Sequence, residues 1–384
     1  PDTFRVTRAP GQAAALPRLE ACTNIEKLAR RLALENPRGV AQETYEDLRT
    51  KYRQARQIAH EADAPGSRAL ATEVEDQAIA VGAISLASAA SLTICNSYQQ
   101  ERRFKDALPA CTRSFLQAVE ASDHEGAVHA AAFLTSLYGQ AFHQREQAKL
   151  WLDIARAHAS IVASDGPDPQ AARLQTALAY FYQDFNEPQK AIAAFRTAIV
   201  QYNELYGERS DVSAPLWTSI GFLAINEKDW ETAKEAIDTA RVIHRDVFGP
   251  RHPLTFQVEW YSSVILHASD PPGANAKFEA TMARMDPTRA ARYDVSWRAH
   301  TWQTCEASQV RAQQAIDAAF ANDVRGVEEL PELLLHVGKC DQQAGKHRLA
   351  QHAGQQALEV LGPVSEANAQ LHQAAAALVN AGDD

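Results

Sequence analysis

The chain copies part of itself after 42 residues. Ala179, Tyr182, Ala191, Phe195 and Ala198 return as Gly221, Ala224, Ala233, Ile237 and Ala240, and the Tyr206-Gly207 turn returns as Phe248-Gly249. A period of that length marks a stacked-repeat architecture, in which each unit buries its apolar face only against its neighbours. Chains built in this way usually bind other proteins.

The spacing inside the period says what stacks. With the small residue of the first helix as zero, a small residue at +12, a bulky one at +16 and a small one at +19 lie one turn apart on a second helix. That describes a hairpin of two helices meeting through small side chains. Gly338, Ala350, Gly354 and Ala357 share the spacing, with Gly345 where the chain must reverse. So do Cys95, Ala107, Cys111 and Ser114, and Ser136, Ala148, Leu152 and Ala155. His300, Ala312, Ile316 and Ala319 match more weakly, while Ser263 with Ala276, Ala280 and Ala283 needs one inserted residue. The count is about seven units between Ile84 and Leu361.

These positions resemble a tetratricopeptide repeat array. The long-period form found in kinesin light chains carries a Leu-Gly-Pro-x-His-Pro-like connector, and this chain has Val247-Phe248-Gly249-Pro250-Arg251-His252-Pro253. Leu205-Tyr206-Gly207-Glu208-Arg209 and Val360-Leu361-Gly362-Pro363 are weaker copies, and Trp217, Ile220 and Gly221 fall at the family's opening Trp, Leu and Gly. The resemblance spans roughly Ala80 to Gly362 and implies an all-α fold, a right-handed superhelical solenoid of antiparallel helix hairpins. The expected organisation is a flexible tether at 1–18, a helical lead-in or cap at 19–80, the array at 81–362, and a capping helix with a frayed tail at 363–384.

Composition agrees. The 46% hydrophobic content of 384 residues is spread evenly, which suits one elongated solenoid better than several compact cores. Glycine and proline, 17 each, gather in punctuating runs such as Asp63-Ala64-Pro65-Gly66 and Asp270-Pro271-Pro272-Gly273, and between them the apolar spacing is helical. A net charge of −10 gives no overall field for nucleic acid, and Arg102-Arg103 reads as a solvated turn. No apolar run reaches the roughly 18 to 20 residues of a membrane span, so direct insertion is not expected. The chain begins at Pro1 rather than Met, and the expectation is a processed protein or a fragment of a larger one.

Ahead of the array, Leu19-Glu20-Ala21-Cys22-Thr23-Asn24-Ile25-Glu26-Lys27-Leu28 opens a helical lead-in, with Asn24 as a cap for the helix that follows, and the stretch from Leu16-Pro17 reads Leu-Pro-x-Leu-x-Ala-Cys-Thr. This order, followed by kinesin-light-chain-like repeats, resembles the region carboxy-terminal to the kinase domain of some bacterial serine/threonine kinases. The resemblance implies the sensing or docking half of such a protein. No glycine-rich phosphate loop, His-Arg-Asp loop or Asp-Phe-Gly site is present, nor a Gly-x-Ser-x-Gly elbow, so the chain is expected to be no enzyme and to need no cofactor.

First helices line the inner face of stacked hairpins, and offsets −3, +1, +4 and +5 point into it. That row supplies Asn96 and Gln99, Phe133 and Gln140, then Arg173, Thr176, Tyr180 and Gln183 with Asp184 beside them. Thr218, Phe222 and Asn226 follow, then Trp260 and His267, then Trp297. Aromatic rings beside amides suit a protein or an extended peptide, because amides pair its backbone while rings bury its side chains. The carboxylate clamp of a known subgroup is not matched, since Leu92, Leu134 and Ala177 stand at its polar places. A second reading is a peptide-pheromone-sensing regulator built on the same repeats, though no helix-turn-helix precedes Ala80.

Cysteines and histidines complete the inventory. Cys95 and Cys111 stand at zero and +16 of one hairpin, where a disulfide can form, and Cys305 and Cys340 can also approach; the alternative is small buried thiols. Paired cysteines would place the chain in a periplasm behind a removed membrane span, free ones in the cytoplasm. No Cys-x-x-Cys or His-Glu-x-x-His occurs among the 5 cysteines and 13 histidines, so no metal is expected.

Overall fold

The computed structural model describes residues 39–60, 63–163, 167–364 and 368–380. The tether, Cys22, the capping Asn24 and the acidic end Asp383-Asp384 lie outside the described residues. All regular elements among the described residues are helical. They are α1 (Gln42–His60), α2 (Ala64–Val81), α3 (Ile84–Gln100), α4 (Phe104–Glu120), α5 (His124–Ser136), α6 (Arg145–Val162), α7 (Pro169–Asp184), α8 (Pro188–Tyr206) and α9 (Ala214–Asn226). There follow α10 (Trp230–Phe248), α11 (Pro253–His267), α12 (Pro271–Met282), α13 (Pro287–His300), α14 (Cys305–Ala321), α15 (Leu330–Gln343), α16 (His347–Leu361) and α17 (Ala369–Asn380). A π-helical turn, Leu137–Ala141, prolongs α5. The residues divide into two compact units between Ile265 and Leu266.

In the first unit the recurring small residues do what their spacing requires. Ala179, Ala191, Phe195 and Ala198 are fully buried, as are Cys95, Ala107 and Cys111 with Ser114. At Gly221 the helices come so close that a Cβ would fall on the buried Ile237 side chain. Each large side chain enclosed in this way, such as Phe195 or Ile237, contributes roughly 1.5–3 kcal/mol. The reversal within a hairpin falls seven residues after the zero position, on a left-handed residue: Arg102 (φ 56°), His143 (φ 51°), Asn186 (φ 57°) and Lys228 (φ 60°).

The same spacing reaches further toward the amino terminus than the repeat pattern suggested. Ala55, Ser67, Ala71 and Val74 are all fully buried, so α1 and α2 obey the zero, +12, +16, +19 rule inside the segment assigned to the lead-in. A buried carboxylate pins this end. Glu75 accepts from Ser91 Oγ at 2.6 Å, Arg113 Nε at 3.1 Å and Gln117 Nε2 at 3.2 Å, tying α2 to α3 and α4.

The unit opened by Ser263 is corrected. Ala276, Ala280 and Ala283 are exposed, whereas Ala274, Phe278 and Thr281 are buried. The offsets from Ser263 are therefore +11, +15 and +18: one residue is missing, not added. The cause is local, because α11 ends four residues after its zero position where α9 ends five after Gly221.

In the second unit Ile316, Leu330, Leu333, Leu334, Val337 and Leu378 share a core. The helix α17 lies on Gly338 and Gly354, where added Cβ atoms would meet Leu378 Cδ1 and Ala375 O. His300, the weak zero position, is exposed, and Ala291, Val295 and Trp297 are the buried residues of α13. Both cysteine pairs are closed as disulfides: Cys95–Cys111 between α3 and α4 with Cα atoms 5.1 Å apart, and Cys305–Cys340 between α14 and α15 at 5.5 Å. The free-thiol alternative does not describe these four residues.

Candidate docking face

Within the first unit α5 lies along α7, and α1 with α3 and α3 with α5 touch more lightly, so successive first helices approach one another on one side of these hairpins. This first-helix face carries most of the residues that the offsets selected.

Asn96, Gln99 and Phe133 are partly exposed there, and Gln140 is fully so, in the π-helical turn. The His129 ring meets Phe133 edge-on at 5.4 Å. Burial pushes His129 well below the usual imidazole range, and Arg173 and Arg56 nearby push it further, so it is a neutral ring at physiological pH. Arg173 donates to Gln170 Oε1 at 2.7 Å, and Gln170 Nε2 in turn donates to Glu125 Oε2 at 3.3 Å. Thr176, half-buried, donates its hydroxyl to Ala172 O at 2.9 Å.

The aromatic residues bridge hairpins as well as line the face. Tyr180 stands edge-on to Phe195 at 5.0 Å, with Ser219 of the next first helix near its hydroxyl. Phe222 reaches Tyr261 of α11 at 6.0 Å, and Trp260 packs on the same Tyr261 at 5.1 Å. Each ring keeps one side against protein and leaves part of itself exposed. Asn226, at the end of α9, is exposed.

Three of the selected residues do not join this face. Thr218 is buried, because its hydroxyl turns toward α10 and meets His244 Nε2 at 3.1 Å. Trp297, in the second unit, is fully buried: it stacks on Phe278 at 4.6 Å and donates Nε1–H to Asn275 Oδ1 at 2.9 Å. Its large ring fills the core of that unit, which offset counting cannot distinguish from a binding position. His267 belongs to the second unit as well, with its ring edge-on to Trp297 at 5.7 Å.

Sequence reading missed His129, Ser219 and Tyr261. His129 lies seven residues before Ser136, one further turn along the same face, so extending the offsets by a turn would have found it. Among the described residues no group of three His, Cys, Asp or Glu is placed to hold a metal ion, and no helix is long and apolar enough to cross a membrane.

No family model matches the chain, and no curated protein matches it. Among solved structures it is similar to BtubC (BKLC) from P. vanneervenii, at 16% sequence identity over 67% of this chain and 93% of that one, with a TM-score of 0.42.

Proposed function

We propose that this chain is a protein-binding scaffold without turnover of its own, and that its partner docks on the first-helix face of the first unit. The observation that carries this reading is the row of half-embedded rings, Phe133, Tyr180, Phe222 and Trp260, set among amides that have no structural duty. Rings already held by packing lose little rotamer freedom on binding and present apolar area beside polar groups able to pair an extended backbone. The hairpins would follow the right-handed course of tetratricopeptide arrays.

Its place would be the regulatory or sensor half of a bacterial serine/threonine kinase, where partner capture brings a substrate near a catalytic domain. The two disulfides favour an oxidising compartment for it. The test is capture of the partner by the purified chain. Replacing Tyr180, Phe222 and Trp260 together by alanine is expected to lower affinity at least 100-fold while circular dichroism retains the helical signal, about 3 kcal/mol. Undiminished capture by that variant would move the docking face elsewhere.

A further inference from the structure

Asp184 is the last residue of α7, one turn beyond Tyr180 on the first-helix face. Its carboxyl rests on the backbone of the π-helical turn, because a Cβ at Gly139 would fall on Asp184 Oδ2. That oxygen is buried and accepts no hydrogen bond. The contrast with the other buried acids of the unit is plain. Glu75 has Arg113 at 3.1 Å and Glu259 has Arg245 at 3.1 Å, and the half-buried Glu101 has Arg68 at 2.8 Å.

Two features are shaped around this carboxyl. A glycine at 139 leaves room for it, and the π-helical turn brings that glycine against it; such turns recur at functional sites. Its setting is otherwise hostile to charge. Burial raises the Asp184 carboxyl to about 7, with no cation among the described residues acting to lower it, and carbonyls at a helix end add partial negative charge. A group held so is in deficit of both donors and positive charge. An amide from a partner would supply donors only, whereas an ammonium or guanidinium supplies both.

We infer that Asp184 is the docking point for a Lys or Arg side chain of the protein partner. The inference rests on the reading of this face as the partner platform and names the chemistry that the platform selects.

The experiment follows the amide signals of Gly139 and Asp184 in the intact chain during titration with N-acetyl-arginine amide and N-acetyl-lysine amide, with N-acetyl-norleucine amide as the control. Saturable shifts with the two basic probes, at least tenfold weaker in Asp184→Asn, are expected. Gly139→Ala, which displaces the carboxyl while keeping its charge, should weaken them too and serves if the asparagine variant does not fold. Equal shifts with the norleucine probe, no shift with the basic ones, or an unaltered Asp184→Asn titration would overturn the assignment. The probes need no partner: their failure alongside loss of capture in the triple alanine variant sinks only this inference, and intact capture in that variant sinks only the platform.

Discussion

The hairpins α3–α6 and α7–α10 solve one packing problem with different connections. From α3 to α6 every link is a three-residue turn with a left-handed residue at its middle: Arg102, Ser122, then His143. From α7 to α10 short turns at Asn186 and Lys228 alternate with a seven-residue link that leaves α8 through Gly207, and α10 ends on Gly249; both glycines have φ near 85–88°. Yet the buried positions keep their spacing in both stretches. The contact between small residues therefore defines the unit, and the connectors are interchangeable within it. What changes is the pair at zero and +16: a disulfide in α3/α4, Ala179 with Phe195 in α7/α8, Gly221 with Ile237 in α9/α10.

That contrast can be broken most strongly at the disulfide. Cys95→Ala with Cys111→Ser leaves α3/α4 with neither a crosslink nor a bulky +16 side chain. A loop of 16 residues implies a loss of about 3 kcal/mol, read from denaturant unfolding with and without reductant. Reductant should leave an α7–α10 reporter, such as tryptophan fluorescence from Trp217 or Trp230, unfolding where it did before.

A second difference lies in α10. His244 stands where α8 has Tyr202, 42 residues earlier, and both are buried. Burial lowers the folded-state pKa of His244 to about 4, with His252 nearby adding to the effect, against about 6.5 unfolded. As pH falls from 6.5 toward 4 the unfolded chain takes up a proton that the folded chain refuses, so stability drops through that window. Between about pH 7.5 and pH 5 the loss should reach about 2 kcal/mol. Urea titrations at several pH values check it, and His244→Tyr, which imports the α8 residue, should flatten the dependence.

The smallest effect concerns the turns. Lys228 is exposed and left-handed at φ 60°, where the hairpin α15/α16 uses Gly345 at φ 75°. Lys228→Gly is expected to raise stability by about 1 kcal/mol, visible as a shift of the unfolding midpoint. An unchanged midpoint would mean that the turn backbone relaxes at no cost.

Much of this fold was legible because close approach restricts residue choice. Ala179, Ala191 and Ala198 are small for one reason, and that reason repeats. The α1/α2 hairpin escaped notice because Ser67 and Val74 keep the spacing but not the usual alanine signature. The register after Ser263 was misread since a helix one residue shorter produces the same ambiguity as a loop one longer. On the candidate face, offsets located Tyr180, Phe222 and Trp260 among partly exposed residues, but they placed Thr218 and Trp297 there as well. Thr218 is short enough to be drawn back by His244, and Trp297 is large enough to be worth enclosing; both outcomes depend on partners far away in sequence. The π-helical turn at Leu137–Ala141 has no residue signature beyond Gly139 itself.

The bond between Cys95 and Cys111 also has a mechanical consequence. Pulled from its two ends, the oxidised chain cannot pay out the 16 residues that the bond encloses, a hidden extension of about 50 Å. A single-molecule force trace would recover that length only after a reducing agent is added, together with the 35 residues spanned by Cys305–Cys340.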